Sequence, residues 1–202
     1  REALFQFVIP HVWLHAGVDE PYNCVIADEA HGLQLAVEHL RTLGHRRIAF
    51  MPHDEAPSAT THTVVNRRAG YLEAMHQAGL PPIMARQEFM PVPAAVEHFL
   101  SLSPRVTAII AHTDALASLT CAALLNRGVR IPADISVVGN EGVVWHRYCN
   151  PPLTTVRAPV LELGHAAVDM LVQRIERREP VRSVRVPQQL EIGASTGLAP
   201  AD

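Results

Sequence analysis

The stretch from Arg130 to Arg157, RIPADISVVGNEGVVWHRYCNPPLTTVR, decides the fold. Its first half holds a β-branched run, Ile135 to Val138, closed by Gly139 and followed by the polar pair Asn140-Glu141. Its second half resumes with an extended segment, Leu153 to Val156, announced by Pro151-Pro152. A short apolar run bounded by proline and glycine reads as a buried strand. In a parallel α/β sheet, ligands are met just beyond the carboxyl ends of such strands, so Asn140 and Glu141 are candidate binding residues.

Outward from this stretch the pattern repeats. Upstream, Val106 to Ala111 is a second buried strand; it ends in His112-Thr113-Asp114, after which Ala117, Cys121 and Leu124 keep helical spacing as far as Gly128. Before it come a strand over Ile83 to Phe89 and a short helix opened by Pro93, with Val96, Phe99 and Leu100 as its apolar face. Further back, a helix over Val64 to Ala78 follows a polar loop from Pro52 to Thr63, long enough to be functional. Ile48 to Met51 is a buried strand. The helix before it runs through Leu33, Ala36, Val37, Leu40 and Leu43, stops at Gly44 and takes Asp28 as its cap. Phe5 to Leu14 and Asn23 to Ala27 read as extended. Downstream, Pro159 opens a long helix ended by Pro180, and Val184 to Ile192 is a final extended run. Strands alternating with helices in this way predict an α/β fold with a mostly parallel sheet.

Twenty acidic against 17 basic residues give a net charge of -3, so these residues carry no electrostatic footprint for nucleic acid. Three widely spaced cysteines, Cys24, Cys121 and Cys149, argue against a disulfide framework and for a reducing compartment, the cytoplasm. The apolar segment Leu4 to Leu14 is broken by Pro10 and is too short for a membrane span, so no membrane partner is expected. The chain opens inside an apolar run with no cap or turn before it, as expected of a sequence that begins within a fold.

No dinucleotide or P-loop glycine motif occurs. Gly193-Ala194-Ser195-Thr196-Gly197 fits G-x-S-x-G, but a nucleophile elbow needs a following helix and a downstream histidine, and neither has room here. The motif reads as a turn, and no enzyme is expected. Twelve histidines are scattered without metal-ligand spacing; His11 and His15 alone would share a strand face, so neither a metal nor a cofactor is expected. The informative pattern is polar residues at successive strand ends: Asn66-Arg67-Arg68, His112-Thr113-Asp114 and Asn140-Glu141. An arginine fork with carboxylate, amide and hydroxyl groups suits a small polar ligand. Trp13 or Trp145 would supply an apolar face for a sugar ring. Asp114 reads first as a helix N-cap, and Arg67 and Glu141 as ligand contacts.

Five collinear blocks also resemble the LacI/GalR family. Leu43-Gly44-His45-Arg46-Arg47-Ile48-Ala49-Phe50, Arg67-Arg68-Ala69-Gly70-Tyr71, Thr107-Ala108-Ile109 through Asp114, Ile131-Pro132 through Gly139, and Pro151-Pro152-Leu153-Thr154-Thr155 are each similar to a block of that family. The resemblance implies an effector-binding domain of the type I periplasmic-binding-protein fold, with two Rossmann-like lobes, parallel sheets and three crossovers. On that reading residues 29–155 and 188–202 form the C-terminal lobe, and 1–28 with 156–187 form part of the N-terminal lobe. A helix-turn-helix domain would precede this chain, so operator DNA would be met only outside these residues.

Carried over position by position, the resemblance assigns ligand contacts to Trp13, His15, Arg67, Thr113, Asp114, Asn140 and Glu141. Thr113 and Glu141 stand where the family usually has Asn and Asp, and His15 and Gly142 where acidic residues are common. Fewer acidic acceptors beside the arginine lead to the expectation of a more acidic or aromatic ligand than a plain hexose. The resemblance also implies a homodimer through the C-terminal lobe, with Ala115, Ser118, Leu119, Ala122, Tyr148 and Cys149 at the contact. The function implied is sensing of a sugar-like effector for a transcription regulator; the rival is a transporter's solute-binding protein of the same fold.

Overall fold

A computed structural model describes residues 9–14, 21–52, 62–85 and 90–201, apart from the side chains of His62 and Trp145. The chain divides into two compact units, Arg1–Asp28 with Pro159–Pro187 and Glu29–Ala158 with Gln188–Asp202.

The larger unit is a doubly wound α/β layer structure. In chain order it runs α1 (Glu29–Thr42), β3 (Ile48–Met51), α2 (His62–Gln77), β4 (Ile83–Met84), α3 (Val92–Ser101), β5 (Ala108–Ala111), α4 (Asp114–Leu125), β6 (Ser136–Glu141), a 3-10 turn (Val144–Tyr148), β7 (Thr154–Arg157) and β9 (Gln189–Glu191). Among the described residues its sheet has the order β4-β3-β5-β6-β7-β9, parallel throughout except for β9, which runs antiparallel to β7. The strands read as continuous apolar runs because both sheet faces are covered. Ala49, Ile109 and Val137 face a core shared with α3 and α4 through Phe99, Cys121 and Leu124. Ile48, Phe50, Ile110, Val138 and Val156 face the other, shared with α1 and α2 through Leu33, Leu40, Tyr71 and Met75. Each large side chain so buried stabilises the unit by roughly 1.5–3 kcal/mol.

The smaller unit holds β1 (Trp13–Leu14), β2 (Cys24–Asp28), α5 (Val160–Arg177) and β8 (Val184–Pro187), with strand order β1-β2-β8, all parallel. Val25, Ala27, Leu163 and Met170 make its small core. The outer side of α5 presents Leu161, Val168 and Ile175 to solvent.

Four sequence expectations shift. The extended run Val184 to Ile192 is two strands in different units, parted at Pro187-Gln188. The strand expected over Ile135 to Val138 spans Ser136–Glu141, because β7 pairs with it as far as Glu141↔Arg157. For the same reason the chain returns to the smaller unit at Pro159, three residues beyond the expected Val156. The strand over Ile83 to Phe89 ends at Met84, and residues 86–89 lie outside the described residues, as do Phe5 to Val8 and most of the loop from Pro52 to Thr63.

Candidate functional site

Parallel register brings the carboxyl ends of β3, β5, β6 and β7 to one edge of the larger unit's sheet. Met51 stands beside Ala111, and the His112 N–H donates to Met51 O (3.0 Å); Asn140 stands beside Val156, and Glu141 beside Arg157. Above this edge lies Arg67 of α2. Its approach depends on Gly70 one turn later, where a Cβ would come within 3.1 Å of the Ala30 backbone. The bare glycine lets α2 close on the first turn of α1, and that sets Arg67 against Glu29.

Arg67 is buried, and its guanidinium is almost fully engaged. Nε donates to Glu29 Oε2 (2.9 Å) and Nη2 to Glu29 Oε1 (3.3 Å), a two-pronged ion pair with both side chains 4% exposed. Nη1 donates to the His112 carbonyl (2.7 Å) and, more weakly, to Glu141 Oε1 (3.4 Å). Gln188 Nε2 adds a 3.4 Å bond to Glu29 Oε2. Removing one partner from a buried pair of this kind costs about 3–5 kcal/mol, since it leaves the other charge uncompensated.

Glu141 owes its place to backbone conformation. Strand alternation would point it away from the face that Asn140 occupies. Its φ of 115° breaks that alternation, and its carboxylate reaches Arg67. So uncommon a conformation for a residue with a Cβ persists only where the surroundings enforce it. Here Ala158 N–H donates to Glu141 O (3.0 Å), and the turn closes against β7. Burial pushes the Glu141 carboxyl above its ordinary value; Arg67 opposes that shift, while Asp114 and Glu29 add to it. Asn140, one residue earlier, is fully buried, and neither its amide nitrogen nor its amide oxygen has a hydrogen-bond partner. Buried polar atoms are almost always paired, so this side chain calls for an explanation.

Thr113 and Asp114 have other duties. The helix cap is Thr113, whose hydroxyl accepts from Leu116 N–H (3.1 Å), and not Asp114, the first residue inside the helix. Asp114 instead fastens α4 to the strand ends: Oδ1 accepts from the Thr155 hydroxyl (2.6 Å) and Oδ2 from Val143 N–H (2.9 Å). Gly139 makes room for it, since a Cβ there would lie 2.3 Å from Asp114 Oδ1. Burial raises the Asp114 carboxyl against the pull of these hydrogen bonds. Asp28, expected as the cap of α1, closes β2 in register with Pro187.

Trp13 belongs to the smaller unit, half-buried on β1, with the His11 ring edge-on at 5.7 Å. His15 lies outside the described residues, as does the Trp145 side chain. Ser195 is a buried staple: its hydroxyl donates to Val137 O (2.6 Å) and accepts from Thr154 N–H (2.8 Å), tying the tail to β6 and β7. Among the described residues no group of three or more His, Cys, Asp or Glu could hold a metal ion, and no helix is long and apolar enough to cross a membrane.

A second feature lies on α4. Ala115, Ser118, Leu119, Tyr148 and Cys149, with Asp114 at one end, line a mostly apolar depression of about 480 Å³. Leu119 and Ala122 also line a neighbouring one of about 420 Å³, beside Pro91 and Pro93. Leu119 is 54% exposed and Tyr148 84%.

A family model for the periplasmic binding protein-like domain matches residues 37–196. The arabinose metabolism transcriptional repressor of Geobacillus stearothermophilus is 33% identical over 181 residues, which is 84% of this chain and 48% of that protein. A LacI transcriptional regulator from a Rhodococcus species superposes with a TM-score of 0.80 at 27% identity, over 99% of this chain and 74% of that one. A dimeric Lac repressor does so with a TM-score of 0.77 at 29% identity, over 91% and 66%. This chain belongs to the periplasmic binding protein-like domain family, and the relative and solved structures above, to which it is similar, are LacI-type regulators.

It spans about half the length of the curated relatives it matches. Its fold is the α/β periplasmic-binding-protein-like fold of LacI-family domains. Of the residues that the LacI resemblance assigned to ligand, Arg67, Asn140 and Glu141 come together at the strand ends. Thr113 caps the next helix, and Asp114 is turned to internal bonds. The sequence reading missed Glu29 and Gln188. Neither lies in a family block; Glu29 looked like an ordinary acid in the first turn of a helix.

Proposed function

We propose that this chain is the effector-sensing part of a LacI-type transcription regulator, and that a small hydroxyl-bearing molecule binds at the strand ends marked by Arg67, Asn140 and Glu141. The observation that carries this reading is the Asn140 amide, fully buried with neither polar atom paired, beside a carboxylate held at a strained backbone. A ligand that satisfies such groups gains affinity from bonds the protein has left open. The arabinose repressor among the relatives supports a sugar or sugar derivative. Ligand contacts would bias a conformational equilibrium, and the apolar face around Leu119 would join two copies. The bound form of that dimer would change operator affinity through a DNA-binding segment outside these residues. No catalytic role is assigned, since the Ser195 hydroxyl is committed to Val137 and Thr154, and the proposed setting is the cytoplasm.

The test is operator binding by the whole polypeptide that carries this chain, measured by fluorescence anisotropy with and without a panel of pentoses, hexoses and their amino and acid derivatives. A sugar-dependent change in DNA affinity is expected. A monomer that binds sugar but never DNA would overturn the reading in favour of a solute-binding protein.

A further inference from the structure

Among the described residues the buried charges at the strand ends do not balance, and the imbalance bears on which ligands fit. Arg67 is the buried cation of this cluster, and its charge is already matched by Glu29 in a two-pronged pair; Arg157, beside Glu141 in register, is half-buried and turned to Gln189 Oε1 (2.6 Å). Glu141 is then left over: Arg67 reaches it by a single 3.4 Å contact, and its side chain is the solvent-facing member of the group at 37% exposure. The open hydrogen-bonding capacity leans the same way. Among the described residues, Asn140 Oδ1 and Gln188 Oε1 are buried acceptors without partners, and Asn140 Nδ2 is a buried donor without one. The Gln188 orientation is fixed, because the reverse one would set its oxygen against the Glu29 carboxylate in place of the 3.4 Å bond from Nε2. Asn140 faces this cluster. It shares a sheet face with its register partner Val156, and Val156 and Gln188 both crowd Gly32, one turn beyond Glu29 on α1. Residues side by side in a parallel register point to the same face.

We propose that Glu29 sets the charge preference of the site: by neutralising Arg67 from within, it leaves a negative, acceptor-rich strand-end cluster that takes an amine-bearing polyhydroxy ligand and rejects carboxylate- and phosphate-bearing ones. An ammonium offers three donors and no acceptor, the complement of what Glu141 and Asn140 present. A ligand carboxylate would have to displace Glu29 from Arg67 and so break a buried ion pair. This inference rests on the sensing reading above and replaces the expectation of an acidic ligand, which took Arg67 to be available.

The test is calorimetric titration of the whole protein with matched sets of neutral, amino and uronic sugars on hexose and pentose skeletons, repeated on Glu29→Gln and Glu141→Gln. On at least one skeleton the amino form should bind about tenfold or more tighter than the neutral form, as expected for one charge-assisted hydrogen bond, and the uronic form should not bind. Glu29→Gln should move the preference toward the uronic form, and Glu141→Gln should abolish the preference for the amine. Wild-type protein that binds the neutral or uronic form most tightly, with affinity lost in Glu141→Gln, would overturn the charge inference and leave the sensing reading standing. An unchanged order in Glu29→Gln would also overturn it. Binding of no sugar in any set would overturn both.

Discussion

At the strand ends the Arg67 guanidinium is held from inside by Glu29, the His112 carbonyl and Glu141. On α4, only a few residues after His112, Leu119 stands in solvent, as does Tyr148 at the end of the 3-10 turn. The two surfaces solve opposite problems. Buried polar groups lose their hydration and must find partners within the fold, so the first surface is fixed in geometry before any ligand arrives. Exposed apolar groups lose nothing until a partner covers them, so the second can wait for another molecule. Asp114 joins the two: its oxygens bond Thr155 and Val143 toward the strand ends, and it also lines the apolar depression.

Breaking the internal pairing should have the largest effect. Arg67→Ala breaks the buried pair with Glu29 and is expected to destabilise the protein by about 3–5 kcal/mol, read as a lower urea midpoint. If the pairing itself is what matters, the double variant Glu29→Ala, Arg67→Ala will recover part of that loss. Asp114→Ala strands the Val143 N–H and the Thr155 hydroxyl, at about 1–3 kcal/mol for each buried group left unpaired. It should also lower the urea midpoint, whereas Leu119→Ser should leave that of the isolated subunit nearly unmoved.

Leu119→Asp sharpens the contrast from the other side. It should weaken self-association by tenfold or more in sedimentation equilibrium, an effect of about 1.4 kcal/mol or above, while subunit stability changes by no more than about 0.5 kcal/mol. A stable fold with unchanged association would remove α4 from the interface.

How far this contrast could be read in advance depends on the range over which the chain makes it. Ile48–Met51 is legible to the residue, because a strand covered on both faces is a continuous apolar run. Asn140 and Glu141 are legible as strand-end residues for the same reason. The partner of Arg67 is not. Glu29 lies 38 residues away, and the pair exists because Gly70 lets two helices touch. Nor does the sequence announce the positive φ of Glu141, which β7 imposes from the next strand. The cap on α4 is a smaller miss of the same kind: Thr113 and Asp114 both suit the position, and Asp114 is drawn away by Thr155 and Val143.

The smallest effect is one of pH. Burial raises the Glu141 carboxyl above its ordinary 4.5, so the folded state favours the protonated form. The stability this contributes is complete below that value and is lost as pH rises through the raised one. Glu141→Gln should remove that slope. Its stability relative to the parent should therefore increase as pH climbs above 4.5, which chemical denaturation along a pH series will show.

The central claim is that the strand ends, with Glu141 as the group offered outward, are where the effector binds. Isothermal titration of the wild type and of Glu141→Gln, with whichever sugar of the panel shifts the melting temperature most, tests it directly. A loss of affinity of tenfold or more in the variant, with its fold intact by circular dichroism, is the predicted result; equal affinity in the two proteins would contradict the claim.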